Sequence, residues 1–190
     1  MKGIIFCLLE KMLASQCCPG AWDNLVRQTP LLTVGGFMGP ETYPDEDLGA
    51  LVRTASVLTG RSVSDLFRAF GRFSFRGLAR AYPDCLPPGI SAKRFLMSVD
   101  RMMHIEVDKL RPAANRGYFS YEDPGPDQLV MNYQSPRQLC DFAAGLIDGV
   151  GDVLGEEIVQ VKTQCMRLGD PRCRFELRFG ARRPDGLAQA

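Results

Sequence analysis

The sequence predicts an α+β fold, with an N-terminal helical part packed on a C-terminal antiparallel sheet into which one helix is inserted. Two observations predict it. Up to about residue 110 the apolar residues recur at helical spacing. Beyond that point Leu129, Met131 and Tyr133, and then Phe175, Leu177 and Phe179, alternate with polar neighbours, the period of a half-buried strand. Helices followed by strands favour this layering over a parallel βα repeat.

Taken in order, Ile5, Leu8, Leu9 and Met12 place an amphipathic helix at the N-terminus. Its apolar run is too short for a signal peptide, and Glu10 and Lys11 interrupt it. Trp22, Leu25 and Val26 suggest a second, short helix, and Pro30, Gly35, Gly36, Gly39, Pro40 and Pro44 mark a loop. Leu48, Leu51, Val52, Ala55 and Leu58 form one helical stripe that Gly60 stops. Ser62 and Asp65 resemble a capping box opening a helix with Leu66, Phe67, Phe70, Phe73 and Leu78, which ends near Tyr82 and Pro83. After Pro87, Pro88 and Gly89, a long helix is expected from Ser91 to Leu110, with Leu96, Val99, Met103, Val107 and Leu110 as its core stripe and Pro112 as its stop. Strands are expected over 118–122, 129–133, 157–164 and 174–179. The inserted helix is expected from Pro136 to Val150, capped by Ser135 and ended by Gly149 and Gly151.

Composition excludes several classes of function. The chain has 190 residues, 45% of them hydrophobic, and a net charge of +1; this argues against a strongly nucleic-acid-binding or anionic-membrane-binding protein. No stretch approaches the roughly 20 apolar residues of a membrane span. Seven cysteines cannot all pair within one chain, which favours reduced thiols in a cytoplasmic setting. There is one histidine, His104, so no metal site here uses two. With no nucleophile at defined spacing and no phosphate loop, an enzyme is not expected.

Three groups of residues can carry chemistry. His104 lies on the long helix with Asp100 and Asp108 four residues to either side. Spacing alone leaves two readings, a charged i, i+4 surface row and a single axial ligand to a metal or haem. Tyr133, Ser135 and Arg137 sit at a strand-to-helix junction, where a capped helix start and a guanidinium would make an anion site; a solvent-facing Arg is the alternative. Cys140, Cys165 and Cys173 form the third group, readable as small buried residues, as a zinc site lacking an obvious fourth ligand, or as redox thiols that form a disulfide.

These residues fall in a recognisable order. Met1-Lys2-Gly3-Ile4-Ile5, Tyr43-Pro44-Asp45, Ala69-Phe70-Gly71-Arg72, Ser98-Val99-Asp100 followed by His104, Tyr133-x-Ser135-x-Arg137, and Cys165-Met166 with Gly169-Asp170 and Cys173 resemble the bacterial H-NOX (haem-nitric oxide/oxygen binding) domain to about Phe179. The resemblance implies haem b between the helical and sheet parts, with His104 as the proximal iron ligand. It implies that Tyr133, Ser135 and Arg137 bind the propionates and that Ile5, Leu9, Phe142 and Leu146 form apolar walls. It implies a haem-binding domain over 1–180, helical to about 110 and sheet from 111, with 181–190 a flexible tail. The implied function is a gas sensor that passes its signal in trans to a histidine kinase or a cyclic-di-nucleotide enzyme. Oxygen-binding members carry a Tyr where this chain has Phe142; without that donor, nitric oxide and CO are expected to bind and oxygen little. Two departures concern Gly117, aligned with a haem-contacting Pro of many members, and Lys162, aligned with the His that joins three Cys on zinc in many relatives. A protonated Lys cannot ligate, so zinc, if bound, would be completed by water or another residue.

Overall fold

The computed structural model describes residues 1–34, 36–108 and 118–182, with side chains for all of these except 101–108 and 182. Apolar stripes and local caps explain the helices. α1 (Gly3–Gln16) buries Ile5, Phe6, Leu8, Leu9 and Met12, and α2 (Ala21–Gln28) buries Leu25. α3 (Asp45–Thr59) opens on three acidic residues, which face the positive end of its dipole, and stops at Gly60 with φ 69°. The buried Asp47 of α3 accepts from the amides of Leu32 and Thr33 at 2.7 and 3.1 Å and so holds the preceding loop. α4 (Val63–Ala81) is capped by Ser62, whose Oγ accepts from Asp65 N at 3.0 Å and donates to its carboxylate at 2.7 Å. α5 (Ala92–Asp108) starts where Ser91 Oγ accepts from Arg94 N at 3.3 Å; residues 109 and 110 of the expected helix lie outside the described residues.

β1 (Tyr118–Gly125), β2 (Gln128–Gln134), β3 (Glu156–Gln164) and β4 (Cys173–Arg182) form one antiparallel sheet in the order β1-β2-β4-β3. Register sets Leu129 opposite Leu177, Met131 opposite Phe175 and Tyr133 opposite Cys173. Their period-2 side chains therefore share the inner face and meet α5 and α6 (Cys140–Leu154) in one core that includes Phe95, Leu96, Ile147 and Val150. A second core joins α1 to α4 with Phe142 of α6, and Leu146 borders both cores.

The α4–α6 contact is close because glycines line it. A Cβ on Gly145 would lie 2.0 Å from Arg68 O, and one on Gly71 would lie 2.2 Å from Phe142 O. Arg68 and Arg72 each grip an α6 carboxylate with two bonds, those of Asp148 and Asp152.

Two expectations need correction. The inserted helix starts at Cys140 rather than Pro136, because Pro136 and Arg137 form a turn and Gln138 adopts φ 50°. It runs through Gly149 and Gly151, which admit Phe75 of α4 and Glu156 of β3 at short range, and it stops at Gly155 with φ 65°. Leu58 is exposed and not part of the α3 core stripe; the last turn of α3 runs past the helices it packs on.

Candidate functional site

Tyr133, Ser135 and Arg137 follow one another where β2 leaves the sheet. Tyr133 faces the inner side of the sheet by its register, and its ring lies 5.1 Å from that of Phe119. Burial raises its phenol above the usual value, and a hydrogen bond with Ser135 pulls it part of the way back. Ser135 is buried, and its Oγ accepts from Arg137 N at 3.3 Å. A turn stabilised by that bond, not a helix N-terminus, thus presents this set, since α6 begins three residues after Arg137. Arg137 Nε donates to Asp45 Oδ2 at 2.6 Å, and Asp45 Oδ1 accepts from the Met1 amine at 2.5 Å. Burial alone would raise the Asp45 carboxyl, but the bonds from the Met1 amine and Arg137 outweigh it and hold it low.

The chemistry of this donor set fits a dianionic group. Two hydroxyls and a guanidinium converge on one turn, and the guanidinium already carries a carboxylate. Arg has five N–H donors, so it can hold Asp45 and a further carboxylate together.

The apolar candidates come together in part. Ile5 and Leu9 of α1 and Phe142 of α6 share the helical core, where Phe142 lies 5.1 Å from Phe70 of α4. Leu146, one turn after Phe142, reaches the sheet-side core that holds Tyr133. Ser74 of α4 is fully buried in this region, and its hydroxyl has no hydrogen-bond partner among the described residues. It lies one turn beyond Gly71, whose backbone meets that of Phe142. An orphaned buried hydroxyl of this kind fits a pocket that a further group completes.

His104 sits on α5, but its side chain lies outside the described residues, as does Gly117. One turn before it, Asp100 turns to the sheet instead of forming only a surface row. Its carboxylate accepts from Phe119 N at 2.9 Å, and its amide donates to the Tyr121 hydroxyl at 3.3 Å. Burial pushes that phenol up to about 12.

The three cysteines do converge. Cys140 at the start of α6, Cys165 after β3 and Cys173 at the start of β4 are buried, with their sulfurs all within 4.8 Å of one another. Cys140 and Cys165 are 3.6 Å apart. Lys162 Nζ lies 3.8 Å from Cys140 Sγ and 2.5 Å from the buried carboxylate of Asp141. Asp141 also accepts from Ser64 Oγ at 2.6 Å and Arg167 at 2.5 Å. Burial pushes the Cys140 thiol up to about 12 and raises Cys173 as well. At Cys165 burial also acts upward, but hydrogen bonds at Arg167 and Cys140, with the Lys162 charge, leave it below the usual thiol value.

Sequence reasoning missed Asp45, Ser74, Asp141 and Arg167 as parts of these sites. Ser74 carried a signal, a polar residue on the apolar stripe of α4. Asp45 carried none in spacing, because 92 residues separate it from Arg137.

The family model HNOB, haem-NO-binding, matches residues 2–162. The structure is similar to that of an H-NOX protein from S. oneidensis in the Fe(II) state, a triple mutant, with TM-score 0.86 and 27% identity over 97% of this chain and 98% of that one. It is similar also to an S. oneidensis H-NOX protein in the Fe(II)NO state, with TM-score 0.83 and 28% identity over 95% and 100%. A point mutant of T. Tengcongensis H-NOX, 20% identical over 96% and 99%, shares the fold with TM-score 0.82.

Proposed function

This chain belongs to the haem-NO-binding, or H-NOX, family, and from that premise we propose that it is a haem-based sensor of nitric oxide. It binds CO as well, holds oxygen poorly, and has no catalytic activity of its own. The observation that carries this reading is the Tyr133–Ser135–Arg137 turn, tied through Asp45 to the helical part. When bound, haem b would supply a ferrous iron able to take a diatomic gas. The protein would hold it over residues 1–180 with the 181–190 tail uninvolved, and His104 of α5 would supply a nitrogen ligand to its iron.

Arg137, Tyr133 and Ser135 hold the two propionate carboxylates by charge and hydrogen bonds. Ile5, Leu9, Phe142 and Leu146 exclude water from the gas-binding side. Phe142 has no hydrogen-bond donor, so it offers oxygen no stabilisation that nitric oxide and CO lack. Because Arg137 is bonded to Asp45 at the start of α3, it would couple whatever carboxylate it binds to a contact between the helical and sheet parts. That coupling suits a two-state switch. The signal passes in trans, in the cytoplasm, to a histidine kinase or a cyclic-di-nucleotide enzyme.

The test is a haem titration of the reduced full chain, followed by each gas, read by absorption. One haem per chain, with bands that move on nitric oxide and CO but not in air, supports the reading. A chain that takes up no haem overturns it.

The cysteine geometry favours a second reading, a thiol redox sensor. The 3.6 Å Cys140–Cys165 separation needs only a small closure to reach bonding distance. A peroxide would take the two thiol hydrogens, leaving one disulfide and two waters. A count of free thiols before and after peroxide tests it; seven thiols in both states rule it out.

A further inference from the structure

Relatives that carry three cysteines and a histidine at this place imply zinc here, and the residues present do not fit it. Zinc–sulfur bonds of about 2.3 Å at the tetrahedral angle put neighbouring sulfurs about 3.8 Å apart. Cys140 and Cys165 are already 3.6 Å apart, with Cys173 in the same cluster, so the sulfur side of a metal site is built. The fourth donor is what fails. Lys162 Nζ stands 3.8 Å from Cys140 Sγ, and an ammonium has three N–H donors and no lone pair to give a metal.

Asp141 fixes Lys162 in that role through a 2.5 Å ion pair. The same carboxylate accepts from Arg167 at 2.5 Å and Ser64 at 2.6 Å. It therefore cannot turn to a metal without giving up these three hydrogen bonds. No other His, Cys, Asp or Glu among the described residues joins the three sulfurs.

We propose that Lys162, locked by Asp141, is the resident cation of the Cys140–Cys165–Cys173 cluster and keeps zinc out, leaving three metal-free thiols that donate to and accept from one another. This is independent of the haem reading, and its consequence is chemical. Thiols without zinc stay free to pair with one another as a disulfide, whereas zinc would hold them as ligands.

The experiment is zinc and cobalt binding to the reduced full chain, with or without haem. After equilibration with zinc and a competing chelator, the wild-type protein is expected to retain less than about a tenth of an equivalent. Lys162→His and Lys162→Cys, which restore a fourth donor, are each expected to retain about one zinc. With cobalt, these variants should show the visible bands of a tetrahedral thiolate site that the wild type lacks. One chelator-resistant zinc in the wild type overturns the proposal. Folded variants that also stay empty overturn it too, because Lys162 would then not be what excludes the metal. Circular dichroism identifies a variant that fails to fold. If both fail, cobalt on the wild type decides, thiolate bands contradicting the proposal and their absence supporting it.

Discussion

Asp45 carries two cations at once, the Met1 amine and Arg137, and this sets a pH dependence. Its folded value lies below the ordinary 3.8. Its contribution to stability is therefore full above that ordinary value and is lost as pH falls through the depressed one. Asp45→Asn should remove this part of the acid limb of an unfolding curve and cost about 1 kcal/mol at neutral pH, since the pair is partly exposed; chemical denaturation at pH 7 and pH 3 measures both. An unchanged acid limb would show that the pair carries no stability. In the proposed pocket, Phe142 leaves its wall without a hydrogen-bond donor. Phe142→Tyr should slow oxygen dissociation from the reduced, haem-loaded protein at least tenfold while changing CO little, as read by stopped-flow absorption.

α6 shows what sequence could and could not tell. The periods of the helices and of strands 128–134 and 173–182 were legible, because alternation and 3.6-residue spacing follow directly from burial on one face. The start of α6 was not, because Ser135 and Pro136 have the chemistry of a helix entry, whereas Gln138 at φ 50° breaks the chain there. Its end was misread because Gly149 and Gly151 look like stops. Only their neighbours, Phe75 and Glu156, show them to be spaces for close packing. Gly145 makes the same point in energy. Gly145→Ala would set a methyl 2.0 Å from Arg68 O, forcing α4 and α6 apart. It should cost about 1–3 kcal/mol, seen as a lower urea midpoint with little change in slope. An unchanged midpoint would mean that the two helices move apart freely.

Across the molecule, the helical core and the sheet core meet at α6, and Asp45–Arg137 ties them a second time at the Tyr133–Ser135–Arg137 turn. The members of this arrangement were legible where a motif held them within a few residues, as in Tyr133-x-Ser135-x-Arg137. The partners were not, because Asp45 and Ser74 are brought in by tertiary packing from other helices, and Asp141, next to Cys140 in the chain, meets Lys162 and Arg167 only through the fold. Among the described residues no helix is long and apolar enough to cross a membrane. The proposed sensor makes His104 the one residue that no neighbour can replace, since the chain has no second histidine. The decisive measurement is the Soret absorption of the reduced, haem-reconstituted full chain and of His104→Ala, before and after nitric oxide. The wild type should hold one haem per chain with a Soret band that moves on nitric oxide, and His104→Ala should lose the haem or the unliganded band. A wild type that holds no haem, or a His104→Ala spectrum indistinguishable from it, would contradict the assignment.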